Sequence, residues 1–150
     1  MPQRDGKNEL QLVHLGNLAL SGTTPAASAW VDTRDFDKVT LVAIANTITD
    51  AGTPTGGFTF EVQESNTTAA ADATAVADNE LLGSEADLKV ISDSAGDSII
   101  GGIGYLGTKR YVRIVATGTT GTDADVSAVA VNAAGIIEPA GFIGTKVAAT

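Results

Sequence analysis

Apolar and polar positions alternate with a period of two through most of the chain. The alternation breaks at clusters of Gly, Asp, Asn and Thr, the punctuation expected between β-strands. Glu9 to Leu15 sets Leu10, Leu12 and His14 against Gln11, Val13 and Leu15, with Leu18 to Leu20 as a continuation past Gly16-Asn17. Trp30-Val31 opens a second strand ahead of the polar corner Asp32 to Asp37. Lys38 to Asn46 is apolar on both parities, which predicts a central strand buried on two sides. Phe58 to Glu64 is the sharpest amphipathic stretch, with Phe58, Phe60 and Val62 facing one way and Thr59, Glu61 and Gln63 the other. Ser98 to Tyr105 and Arg110 to Thr117 read as a pair joined through Gly107-Thr108, and Asp123 to Asn132 as a last strand. About seven to eight strands with turn signals between them predict an all-β fold, an antiparallel β-sandwich or jelly roll.

The signal weakens from Asn66 to Asp97. The Ala-rich, acidic run has helix formers but no continuing 3.6-residue stripe, and Ser84-Glu85-Ala86-Asp87 fits a capping box. A long loop with one helical turn or a short edge strand is expected there. Residues 1–8 are polar, and Pro139 to Thr150 leaves the last β pattern carrying Phe142, Ile143 and Val147 outside any core. The expected organisation is an N-terminal arm over 1–8, a β-sandwich domain over 9–138 and a C-terminal arm over 139–150, with the arms gaining order from partners.

Composition sharpens this picture. The 150 residues suit one domain, but the apolar content is carried by small side chains: 24 Ala and only seven aromatics. Ala and Gly bury little area, so a thin core is expected, with part of the holding energy coming from neighbouring chains. The formal charge of −9 is unevenly placed. Residues 41–108 hold ten acids against Lys89 alone, whereas both ends are close to neutral. That acidity argues against nucleic acid, since phosphate binding depends on Lys and Arg releasing counterions. No apolar run is long enough for a membrane span and the polar start lacks a signal h-region, so a protein made soluble in the cytosol of its maker is expected. Without Cys there is no disulfide framework, thiolate metal site or Cys nucleophile.

Several constellations resemble active-site chemistry in letter only. Gly102-Ile103-Gly104-Tyr105-Leu106-Gly107 is a literal G-x-G-x-x-G, but dinucleotide binding needs a helix N-terminus next, and the alternating Tyr111 to Val115 predicts a strand. The glycines read instead as a bend or bulge. His14 is the single histidine and sits on a strand without a G-x-S-x-G elbow, so a triad is not expected and a half-buried packing role is. Asp123/Asp125 and Asp93/Asp97 lack the spacing of a calcium loop. Asn66-Thr67-Thr68 matches a glycosylation sequon that has no use without secretion. Neither enzyme chemistry, nor a cofactor, nor a metal is expected. There remains Lys109-Arg110-Tyr111-Val112-Arg113, three cations and an aromatic in an acidic chain. Arg110 and Arg113 differ in parity and so should leave by different faces, with local acid pairing or an interface contact as their use.

Three stretches carry a family resemblance: Val31 to Val42 (VDTRDFDKVTLV), Phe60 to Ser65 (FEVQES) and Gly104 to Arg113 (GYLGTKRYVR). In that order they resemble small virion proteins of tailed bacteriophages and prophages, over about residues 30–132. The resemblance implies a β-sandwich or jelly-roll component of the virion, a capsid cement or head decoration protein on the capsid exterior. Its partners would be the major capsid protein and copies of itself, as trimers before dimers. On that reading Lys109, Arg110 and Arg113 at the strand edge, with Phe142, Ile143 and Val147 in the C-terminal arm, bind the partners. A phage tail, baseplate or receptor-binding structural protein is the alternative. A sugar-binding version of it would need an aromatic platform, for which only Trp30, Tyr105 and Tyr111 are available.

Overall fold

The computed structural model describes residues 10–52, 54, 56–93 and 99–135. The arms expected over 1–8 and 139–150, with Phe142, Ile143 and Val147, lie outside the described residues, as does Asp97. Ten strands follow one another: β1 (Leu10–Ser21), β2 (Ala26–Ala27), β3 (Val31–Asp32), β4 (Phe36–Asp50), β5 (Thr59–Ser65), β6 (Thr74–Ala75), β7 (Leu81–Leu82), β8 (Ile99–Tyr105), β9 (Tyr111–Thr117) and β10 (Asp123–Gly135). They form two antiparallel sheets of five strands, a β-sandwich as the alternation predicts. The first sheet runs β1-β10-β4-β8-β7; the second runs β2-β9-β5-β6, with β3 also paired to β9. No helix among the described residues is long and apolar enough to cross a membrane.

The core lies between the sheets and is built as the composition requires. Phe58, Phe60, Leu41, Ile103, Ile114, Val62 and Val126 supply its bulk, and seven alanines fill the positions between them. Phe58 and Phe60 meet edge to face with ring centroids 5.8 Å apart. Phe58 stands just ahead of β5, where it exchanges two backbone hydrogen bonds with Val90.

β1 shows how one residue changes a strand's allegiance. Up to His14 its even-numbered side chains are exposed, yet Leu18 and Leu20 are buried. The register against β10 slips between His14 and Gly16, and Gly16 takes φ 110°, a left-handed conformation that glycine adopts without a steric penalty. The bulge flips the parity, so both halves of β1 belong to one strand. His14 is exposed on the outer side and is not the half-buried packing residue expected.

Three other expectations change. β4 is the middle strand of its sheet, but only its inner face, from Val39 through Ala45, is covered; Val42 and Ile44 on the other face stay half-exposed. β8 and β9 do not pair with each other: β8 lies between β4 and β7, and β9 lies in the opposite sheet. The connection Leu106 to Arg110 therefore crosses from sheet to sheet. Gly107 permits this because the Tyr105 ring lies against it: a Cβ there would fall 2.5 Å from that ring. The loop after Asn66 contains three short 3-10 turns and the edge strands β6 and β7, more structure than the single turn or strand expected. Ser84 does cap the last turn by accepting from Ala86 N–H at 3.2 Å. Glu85 turns away from it to accept the N–H of Val62 at 2.5 Å.

Candidate functional site

The three stretches that carry the family resemblance are far apart in sequence and meet at one end of the second sheet. β9 is the hub. Asp32 pairs in register with Tyr111 on one side of it, and Gln63 and Ser65 pair with Arg113 and Tyr111 on the other. Thr33 fixes the corner after β3: its N–H donates to the Arg110 carbonyl at 2.8 Å, and its hydroxyl lies 3.0 Å from the carbonyls of both Lys109 and Arg110.

Side chains then close the arrangement. Arg110 donates from Nε (3.1 Å) and Nη2 (2.8 Å) to Asp32 Oδ2 and lies over the Tyr111 ring at 4.8 Å. Arg34 adds a longer contact to the same oxygen at 3.6 Å. Burial pushes the Asp32 carboxyl up. The Arg110 hydrogen bond, the Arg34 N–H and the two guanidinium charges outweigh it and hold the carboxyl below its ordinary range. Arg113 donates from Nε (3.0 Å) and Nη2 (2.8 Å) to Gln63 Oε1 and stacks on Trp30 at 4.4 Å. Burial pulls the Arg113 guanidinium down. Trp30 is held in turn by its Nε1–H donating to Thr68 O at 3.0 Å. Between the sheets, Tyr105 donates to the buried Glu64 carboxylate and accepts the Lys109 N–H at 2.9 Å.

The predicted cationic cluster is thus brought together, and its members are occupied differently. Arg110 precedes β9 and is not bound by strand parity, so it reaches Asp32 and Tyr111 and finishes on the same outer side as Arg113. The different faces expected for the two are not observed. Both guanidiniums are committed to partners within the chain. Lys109 borders a polar cleft of about 270 Å³ with Ser65, Asn66, Thr67, Asp72 and Thr74. Among the described residues its ammonium has no ion-pair partner.

Sequence reasoning did not anticipate Asp32, Gln63, Glu64 and Trp30 as the partners of this cluster. The available signal was their place inside the three resembling stretches, whose spacing gives no contact map. Of the aromatics proposed as a sugar platform, Tyr105 is buried, Trp30 lies under Arg113 and Tyr111 lies under Arg110. Among the described residues no group of three or more His, Asp or Glu is placed to hold a metal ion. No protein-family model, curated protein or solved structure matches the chain.

Proposed function

We propose that this chain is a structural protein of a tailed-phage virion, a cement or decoration protein that binds the outer surface of the head, contacts the major capsid protein and acts without catalysis. One observation carries the reading. The three stretches that resemble such virion proteins bond to one another, through Asp32–Arg110, Gln63–Arg113 and Glu64–Tyr105, and so form a framework that braces the sandwich. Residues held in this way brace the sandwich as a rigid body, which suits a protein that acts by attachment.

Two further features support it. The guanidiniums most suited to phosphate are spent on Asp32 and Gln63, which disfavours a nucleic-acid groove. The aromatic rings are stacked or buried, which disfavours the sugar-binding form of the tail alternative. Lys109, beside its polar cleft, is the cation of the cluster best placed to meet an acidic group on a partner.

Quantitative mass spectrometry of purified virions from the phage that encodes the chain tests the reading. Hundreds of copies per particle are expected, because many weak contacts stabilise a shell by avidity. Six to a few dozen copies would move the protein to the tail, and its absence from the particle would end the proposal.

A further inference from the structure

The two outer faces of the sandwich differ in chemistry. The second sheet turns Glu61, Gln63, Tyr111 and Arg113 outward, a solvated polar surface. The first sheet does not. Register places Leu12, Val131, Thr40, Gly104 and Leu82 in one row across its outer face, and His14, Val129, Val42 and Gly102 in the next. Leu10, Leu12 and Leu82 are 38%, 46% and 69% exposed, and Val42, Ile44, Val129 and Val131 are half-exposed. No acidic side chain falls in these rows, although the chain carries a net charge of −9. Polar side chains interrupt the apolar zone toward one end, where Ser127 donates to Asn17 Oδ1 at 2.8 Å and accepts from Asn46 Nδ2 at 2.8 Å.

We infer that this face is where two copies of the chain pack, sheet on sheet, about a two-fold axis lying between them. This goes beyond attachment to a head and does not depend on it. Charge selects the occupant. Lys38 stands in the row with Leu10 and Ala133 at one end of the face, and Asp125 stands in the row with Ala19 and Thr47 at the other. A two-fold axis parallel to the sheet and perpendicular to the strands lays β4 over β4 with its direction reversed. Lys38 of each copy then comes over the Asp125 end of its partner. Elsewhere, copies this acidic repel one another; here the like-charged surface is interrupted.

The area fits as well. β1, β10 and β4 contain 12, 13 and 15 residues. With about 3.4 Å per residue and about 4.8 Å between strands, the face measures roughly 40 by 19 Å. Allowing for the shorter β8 and β7, roughly 600 to 800 Å² per copy becomes buried, close to the roughly 800 Å² per partner of a stable interface.

Sedimentation equilibrium on the full chain from about 1 to 100 µM tests this, a range spanning ordinary dimer affinities. The expected mass is twice the 15.1 kDa of one chain. Leu12→Glu with Val131→Glu should give a monomer, with circular dichroism and urea midpoint confirming the fold. Lys38→Asp should weaken the dimer about tenfold or more, and adding Asp125→Lys should restore it to within about threefold. Lys38 is exposed and Asp125 half-buried, and neither belongs to the core, so the charge swap reads the contact even if the double glutamate variant fails to fold. A wild-type monomer, a trimer, a dimer that survives the glutamates, or one indifferent to Lys38 and Asp125 overturns the inference. So does a dimer that is lost on truncation after Gly135 yet ignores the charge swap, which would assign the contact to the C-terminal segment.

Discussion

Tyr105 on β8 donates its hydroxyl hydrogen to Glu64 Oε2 on β5 at 2.6 Å, joining the two sheets through a buried carboxylate. The Tyr105 hydroxyl oxygen in turn accepts the Lys109 N–H at 2.9 Å and so holds the crossing loop. Tyr105→Phe removes the donor to a buried charge and the acceptor for a backbone amide, and should cost about 1 to 3 kcal/mol in urea unfolding. Burial, then the bond to Glu64, pushes the Tyr105 phenol well above its ordinary range. A phenol raised in the folded state adds stability that is fully present below its unfolded value near 10 and is lost as pH rises through the folded one. Alkaline unfolding followed by tyrosinate absorbance should therefore show Tyr105 ionising only as the sandwich opens, and Tyr105→Phe should flatten that limb.

Phe60→Ala tests the inward face of β5. Phe60 is 3% exposed and packs edge to face on Phe58, so the truncation should cost about 3 to 5 kcal/mol, measured as a lower urea midpoint at unchanged m-value. A loss below about 1 kcal/mol would contradict its place in the core.

Glu85 behaves in the opposite sense to a stabilising carboxylate. Burial, with the charges of Glu61 and Asp78 adding to it, raises its pKa despite the Val62 N–H it accepts. The folded state therefore holds a proton more readily than the unfolded one, and this site's contribution is present at low pH and lost as pH rises through the raised value. Glu85→Gln keeps an oxygen for Val62 and removes the charge. It should leave the protein as stable at pH 7 or more so, by under about 1 kcal/mol because the group keeps part of its solvation, and should reduce the slope of stability against pH just above the ordinary glutamate range.

Deleting Pro139 to Thr150 separates folding from attachment. The described core runs from Leu15 to Ala130, so the truncated chain should keep its far-ultraviolet dichroism and its urea midpoint. Binding to expanded capsids should fall in a co-sedimentation assay; undiminished decoration would remove the C-terminal segment from the attachment surface.

The strands were legible wherever one face alone is buried, because a period of two then appears directly, as in Phe58 to Glu64. Lys38 to Asn46 misled for a physical reason. An apolar outer face yields the same run of letters whether it is covered within the chain or left open, so Val42 and Ile44 read as buried when they are half-exposed. The pairing of β8 with β9 failed because strand alternation says nothing about which sheet a strand joins; the Gly107 contact that carries the chain across depends on the Tyr105 ring. In the candidate site the cluster Lys109 to Arg113 was visible as composition, whereas its partners Asp32 and Gln63 lie 78 and 50 residues from the arginines they bind. Such contacts are products of the fold and leave no local pattern.

The slip at Gly16 gives β1 two jobs at once. Beyond it the strand feeds Leu18 and Leu20 to the interior, and before it the same ribbon shows Leu10 and Leu12 to the outside. An insertion or loss of one residue there would exchange insulation for stickiness along half the strand. Which of the strand's leucines meet solvent is in this way tied to a single peptide unit.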